Sequence, residues 1–423
     1  MKKNILTNIY YARDRFLNGI AETMSNKAKT IILTIYSFMF ILWILPKQKA
    51  FSIFEDSSGG TIFLKIILFT IGLVVLLYIY GAPIDAVLVD MKLAQIGLMN
   101  RWDETPHLIK RVKEENVEKW LFYASGVSME DWDRAANKLE SALNMIYVKS
   151  EYEKDREHIF VYLVPPDKDV PHFVEWKNEF INPDSNILCL GIGTIGPVEL
   201  NLEITPHVLV GGGSNCGKSI LLNALINQCV CHGDSVIIAD RKGGVDYVRL
   251  KHFCGLVTDE KEFIDILKSL SAEREHRQIL LRQSGCSNMT EYNKKHNEKL
   301  KRIVLVIDEV AEWLDKTGST KEQKQIIDNI IGYLSSLARL GRATNISLIL
   351  SQQRPDASVL PGQIKAQCSY RIAGRCDNVL SQIILDSTMA AEKIPFDERG
   401  LFINGEGTLF RGFYITNKQI GRY

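Results

Sequence analysis

Two long apolar runs, then mixed amphipathic elements, then a series of short buried runs: the hydrophobic pattern divides the chain in that order. From Thr30 to Pro46 it reads TIILTIYSFMFILWILP, without a charge, and from Thr61 to Tyr80 it reads TIFLKIILFTIGLVVLLYIY. Lys65, the one charge in the second run, lies near its end and can snorkel to an interface. About 20 apolar residues cross a bilayer as a helix, so both runs predict transmembrane helices. The first begins too far in for a signal peptide, lacks a small-residue cleavage site and is followed by a second span. Beyond them, Ser128 and Asp131 form a capping-box pattern, and Trp132, Ala135, Ala136, Leu139, Ala142 and Leu143 share one helical face. Ile159–Val164 reads as a strand closed by a turn at Pro165-Pro166. From His207 onward, short apolar runs alternate with helical stretches: His207–Val210, Ser235–Ala239, Ile303–Ile307, Ile346–Leu350 and Tyr370–Ala373. Continuous apolar strands between helices predict a mostly parallel sheet covered on both faces, an α/β fold. The expected partition is a polar tail at 1–29, a two-helix membrane anchor at 30–81, an α+β membrane-proximal module at 82–200 and an α/β domain at 201–423.

Charge changes this picture only locally. The chain has 423 residues and a formal net charge of +1, so any polyanion site is a patch rather than a global field. The tail carries Lys2, Lys3, Arg13, Arg15, Lys27 and Lys29, whereas the loop between the spans sets Lys47 and Lys49 beside Glu55 and Asp56. The positive-inside rule then places both termini in the cytoplasm of a multi-pass cell-membrane protein. Lys110-Arg111-Val112-Lys113 reads as a solvated helix face, with a contact to lipid headgroups or nucleic acid as the alternative. The eight cysteines contain no C-x-x-C, and Cys229-Val230-Cys231-His232 has no ordinary zinc spacing, so they read as reduced thiols.

The chemistry gathers at the strand tips, where ligands of parallel sheets collect. Gly212-Gly213-Ser214-Asn215-Cys216-Gly217-Lys218-Ser219 fits G-x-x-x-x-G-K-[ST], between an apolar strand and a helical run that starts at Ile220. In that context the loop from Gly212 to Ile220 cradles phosphates with its N–H groups and the helix N-terminus, Lys218 reaches the outer phosphates and Ser219 ligates Mg²⁺. ATP and Mg²⁺ are therefore the expected ligands. Gly191–Gly196 also fits G-x-G-x-x-G, but Pro197 and an alternating run follow, so it reads as a β-hairpin and not a dinucleotide site. Lys301–Glu309 is a buried strand ending in two carboxylates, with Asp308 suited to the metal and Glu309 to the attacking water. Gln352, at another strand tip, is placed to sense the γ-phosphate or that water. Asp240-Arg241-Lys242-Gly243-Gly244 ends a third strand, as a plain turn or a nucleotide-linked loop. Arg342 either caps a helix or faces a neighbouring subunit's phosphate.

Together PHVLVGGGSNCGKS, ADRKGG, EREHRQILLRQSGCSNMTEYN, VLVIDEVAEW, ARLGRATNISLILSQQRP and IKAQCSYRIAGRC resemble the FtsK/SpoIIIE family of membrane-anchored DNA translocases, from about Gly126 onward. That resemblance implies a RecA-like P-loop core assembled as a homo-hexameric ring that threads duplex DNA without regard to sequence. It implies ATP hydrolysis between subunits, with Lys218 and Ser219 on phosphate and Mg²⁺, Asp308 as metal ligand, Glu309 as base, Gln352 as sensor and Arg342 as the trans arginine. Arg241, Lys242 and the segment 354–365 are candidates to grip DNA phosphates. Three features depart from the chromosomal members: two spans and no linker where those have four spans and a long linker, no winged-helix reader after GEGTLF, and a loop after Gln352-Gln353-Arg354-Pro355 that keeps the family's shape but not its usual residues. This architecture is similar to the coupling proteins of Gram-positive conjugative elements, which bring a relaxase–DNA complex to a transfer channel. A conjugative coupling protein is thus the expected function, with chromosome partitioning and protein secretion as alternatives.

Overall fold

The long apolar runs become helices in the computed structural model, which describes residues 2–44, 59–83, 85–114, 117–297, 300–353 and 360–421. The chain forms two compact units, Met1–Asp169 and Val170–Tyr423. The first opens with α1 (Lys2–Ser25), α2 (Lys27–Ile44) and α3 (Gly59–Tyr80). Both α2 and α3 are long and apolar enough to cross a membrane. No residue of α2 is buried, and Phe63, Leu64, Ile71 and Ile79 of α3 are exposed. Lys47, Lys49, Glu55 and Asp56, on which part of the orientation argument rests, lie outside the described residues.

The segment expected as a tail is instead the helix α1, packed on α3. Tyr11, Gly19 and Thr23 are buried at helical spacing. Arg15 Nε donates to the Tyr78 carbonyl and Asn18 Nδ2 to that of Gly81, both at 2.8 Å. A Cβ on Gly19 would lie 1.9 Å from the Leu77 oxygen, so only glycine permits this approach.

Next come α4 (Ala86–Gln95), β1 (His107–Glu114), β2 (Val117–Tyr123), α5 (Met129–Leu143), β3 (Ile146–Tyr152) and β4 (His158–Val164). The four strands form an antiparallel sheet in the order β1-β2-β4-β3. The capping box forms as expected, with Asp131 N–H donating to Ser128 Oγ at 3.3 Å and Ser128 N–H to Asp131 Oδ2 at 2.9 Å. Trp132 and Leu139 of α5 are fully buried against the sheet. Lys110–Lys113 lies on strand β1, not on a helix. Arg111 pairs across the ladder with Trp120, its guanidinium 3.8 Å from the ring centroid, and its charge meets Asp85 at 2.9 Å. A strand suits that cation–aromatic pair better than a solvated helix face does.

In the second unit the strands are β5 (Ile187–Gly193), β6 (Gly196–Asn201), β7 (His207–Gly211), β8 (Ser235–Asp240), β9 (Gly255–Val257), β10 (Ile303–Asp308), β11 (Ile346–Gln352), β12 (Tyr370–Gly374), β13 (Leu401–Asn404) and β14 (Leu409–Gly412). Their order is β6-β5-β14-β13-β12-β7-β11-β10-β8-β9. From β12 to β9 all pairings are parallel, and from β13 to β6 all are antiparallel. The helices are α6 (Lys218–Cys231), α7 (Glu260–Ser284), α8 (Met289–His296), α9 (Val310–Leu314), α10 (Lys321–Leu340), α11 (Gly362–Gln367), α12 (Asn378–Leu385) and α13 (Met389–Lys393).

Alternate strand residues feed two cores. Val208, Val210, Val304 and Val306 pack with Leu221, Leu222 and Leu225 of α6. Leu209, Leu305, Ile307 and Leu348 pack with Phe263, Trp313 and Leu334 on the other side. Burial of both faces is why these strands read as unbroken apolar runs. The result is the expected P-loop α/β fold. The hairpin β5–β6 forms where Gly191–Gly196 predicts it, but it belongs to this sheet through β5–β14 pairing. The units therefore part at Asp169/Val170 and not at residue 200.

Candidate active site

Parallel pairing aligns the carboxyl ends of β12, β7, β11, β10 and β8: Gln352 lies opposite Gly211, and Asp308 opposite Asp240. The phosphate loop springs from the central strand β7. Gly212 has φ +158°, and a Cβ there would meet Cys216 Sγ at 2.5 Å; Gly217, at φ +100°, precedes the first residue of α6. Three neighbouring segments hold the loop open. Gly212 N–H donates to the Gln352 carbonyl (3.2 Å), Gly213 N–H to that of Arg375 (2.8 Å), and Gly400 N–H to that of Cys216 (2.8 Å). Arg375 Nη2 closes the ring on the Ser214 carbonyl at 2.7 Å. A loop pinned by its neighbours keeps its N–H groups aimed without further ordering cost on binding.

Lys218 is buried and points across the strand tips. Its Nζ lies 3.1 Å from Asp308 Oδ1, 2.6 Å from Ser351 Oγ and 3.9 Å from Glu309 Oε2. Ser351 Oγ donates to Asp308 Oδ1 at 2.7 Å and accepts the Glu309 N–H at 3.3 Å. Burial pushes the Asp308 carboxyl up, but the Lys218 charge and the Ser351 and Lys218 hydrogen bonds outweigh it and hold it below the usual range. Glu309 shifts the other way: burial raises it, and Lys218 and Lys242 offset only part of that. Its φ of +51° is a left-handed conformation that costs a non-glycine residue roughly 1 kcal/mol or more. That turn sends Oε2 to the Gln353 N–H (3.0 Å) and leaves Oε1 buried without a hydrogen-bond partner. One carboxylate is thus held ionised beside the lysine, and the other is poised to accept a proton.

Ser219 Oγ donates to Asp246 Oδ2 at 2.9 Å. Asp240 makes a turn, Oδ1 accepting Lys242 N–H (2.9 Å) and Oδ2 accepting Gly244 N–H (2.8 Å). Arg241 is tied to its own unit through the Glu312 carbonyl (2.6 Å) and Glu260 (3.2 Å). Residues 354–359 of the expected DNA-gripping segment lie outside the described residues, and Lys365 pairs with Asp386 at 2.6 Å.

The structure brings together the Gly212–Ile220 loop, Lys218, Ser219, Asp308 and Glu309. Gln352 is fully buried at the loop's base. Arg342 is exposed in the turn before β11, a seven-residue strand away, or about 20 Å. It does not enter its own chain's site. Ser351, Asp246 and Arg375 belong to the site without having been singled out; the polar Ser351 closing the apolar run of β11 was the available signal. A cavity of about 320 Å³ also opens beside the loop, lined by Asn215, Gly217, Ile220, Phe173, Arg399 and Tyr414 among others. The N-terminus of α6 beside a glycine-rich loop, an ammonium, a hydroxyl and the orphaned Glu309 oxygen fit a Mg²⁺–nucleoside triphosphate.

Residues 177–357 match the FtsK/SpoIIIE family. The chain is 31% identical over 247 residues to DNA translocase FtsK of Treponema pallidum, covering 53% of this chain and 29% of that one. It is 32% identical over 265 residues to DNA translocase FtsK of Listeria monocytogenes, covering 56% of this chain and 33% of that one. It therefore spans about a third of the length of these relatives. The solved structure of the pCW3 conjugation coupling protein TcpA, in a monomer form with ATPγS, superposes with a TM-score of 0.59 at 30% identity. That match covers 80% of this chain and 97% of TcpA. On the fold, the phosphate loop, the Asp-Glu strand tip and these likenesses, the chain belongs to the FtsK/SpoIIIE family of P-loop ATPases.

Proposed function

We propose that this chain is a membrane-anchored, ATP-driven DNA translocase that serves as a coupling protein in conjugative transfer of a mobile element. The observation that carries the conjugative reading is the TcpA match, which runs over 97% of that coupling protein, whereas the FtsK relatives match over about a third of their length. α2 and α3 cross the membrane with both termini in the cytoplasm. The chain works as a homo-hexamer on duplex DNA and takes its cargo from a relaxase at channel proteins. A chromosome-partitioning translocase is the second reading, favoured by the FtsK relatives.

The Gly212–Ile220 loop, with the N-terminus of α6 and Lys218, would hold the triphosphate of ATP, the Gly212 and Gly213 N–H groups being spent on fixing the loop, and Ser219 and Asp308 would hold Mg²⁺. A bound Mg²⁺ supplies charge neutralisation for the phosphoryl group. Glu309, raised by burial and with Oε1 unpartnered, takes the proton of the attacking water. Gln352 senses the γ-phosphate, and Arg342 of one subunit serves its neighbour's site.

The test is ATP turnover by the detergent-purified chain, without DNA, with duplex and with single strands. Duplex should stimulate turnover, and the stimulation should fade steeply as salt rises. Glu309→Gln should cut turnover at least about 100-fold while leaving nucleotide bound. ATP consumption indifferent to DNA would overturn the translocase reading. Undiminished conjugation after deletion of the gene would overturn the coupling role alone.

A further inference from the structure

The phosphate loop presents Ser219 in an unusual company. A serine hydroxyl has one proton to give and two lone pairs to offer. Here the proton is committed to Asp246 Oδ2 at 2.9 Å, which leaves both lone pairs for a cation. The strand-tip carboxylate Asp308, a ligand in the proposed Mg²⁺ site, does not accept the Ser219 proton. Its Oδ1 is taken by Lys218 Nζ at 3.1 Å and Ser351 Oγ at 2.7 Å.

Asp246 is held where it is from several directions. Its carbonyl accepts from Asn223 Nδ2 at 3.2 Å, one turn along α6 from Ser219. The loop before it is fixed by the Asp240 turn and by Gly244 at φ +72°. The residue after it, Tyr247, is buried in the same core as Leu221 and Leu225 of α6. The Asp246 carboxylate itself faces solvent, as an acceptor for metal-bound water must.

We propose that Asp246 is a positioning carboxylate of the divalent-cation site. It orients the Ser219 hydroxyl for ligation and accepts hydrogen bonds from water held by the cation. Losing a partner of this kind typically costs about 10–100-fold in metal affinity. The inference rests on the phosphate-loop reading of Gly212–Ser219 and adds a residue that no sequence motif marks.

The test measures binding, with the full-length chain in detergent and a fluorescent non-hydrolysable ATP analogue, titrated with Mg²⁺ from EDTA upward. Asp246→Ala should raise the Mg²⁺ midpoint about tenfold without lowering analogue affinity in EDTA. Asp246→Asn, which keeps an acceptor for Ser219 but loses the charge, should raise it by less. An unshifted midpoint in Asp246→Ala overturns the proposal, as does an equal loss of affinity with and without metal. A wild-type chain that binds no analogue at any Mg²⁺ concentration overturns the phosphate-loop reading itself, and this inference with it.

Discussion

Ser351 shows what a single side chain does when three functional groups meet on it. It bridges Lys218, Asp308 and the Glu309 N–H with one hydroxyl. Ser351→Ala leaves the Lys218–Asp308 pair in place but strips a buried ammonium and a buried N–H of an acceptor. That should cost about 1–3 kcal/mol of stability, read by thermal unfolding. ATP turnover should fall with it, because Lys218 loses the contact that fixes its direction; unchanged unfolding and turnover would count against the role. The motif residues were legible in the sequence because Lys218, Ser219, Asp308 and Glu309 each sit beside their own strand or helix signal. Ser351 was not singled out, since its polar place at the end of an apolar run says nothing of partners 133 and 43 residues away. Asp246 and Arg375 escaped for the same reason, reaching Ser219 across 27 residues and Ser214 across 161. A role set by long-range contact leaves no local pattern to read.

Elements were easier to read than side chains, because burial on both faces writes itself into a strand. The runs at β7, β8, β10, β11 and β12 appear within two residues of their expected bounds. The Lys110–Lys113 stretch of β1 was misread as a helix face, since its Arg111 is partnered by Trp120 and Asp85. At the mouth of β7, His207 gives the sheet a measurable acid sensitivity. Its Nδ1 accepts the Leu348 N–H at 3.2 Å, so the ring must stay neutral there. Burial, offset in part by the Ala338 carbonyl, lowers its pKa to about 4 from 6.5. Below the unfolded value the unfolded chain takes up a proton that the folded one refuses. Stability from this residue is therefore complete above pH 6.5 and drains away as pH falls toward 4, by about 3 kcal/mol in all. Denaturant unfolding of the second unit across that window should show the slope. His207→Asn, which preserves an acceptor without a titrating ring, should flatten it; an unchanged slope would assign the sensitivity elsewhere.

At the scale of the whole molecule, the sequence places the motor boundary at 200/201 and the structure places it at 169/170, and the two positions make opposite predictions. The segment between them is structural. β5 covers the edge of β14, and Leu188, Leu190 and Leu200 fill the core around α6. Upstream, Trp176 is buried in that core, its backbone N–H donates to the Tyr414 carbonyl at 3.0 Å, and the Pro171 carbonyl accepts from Arg411 at 2.9 Å. These contacts are made by a Gly-rich hairpin and a Pro-rich approach, whose local pattern does not say which sheet they join. Removing four fully buried apolar side chains forfeits about 2 kcal/mol each. That sum is comparable to the entire stability of a typical domain, about 5–15 kcal/mol. A fragment spanning 170–423 should therefore be soluble without detergent, unfold in one cooperative transition and bind nucleotide. A fragment spanning 201–423 should expose the β14 edge, aggregate and bind none. Equal behaviour of the two fragments would move the boundary back to where the hydrophobic pattern alone puts it.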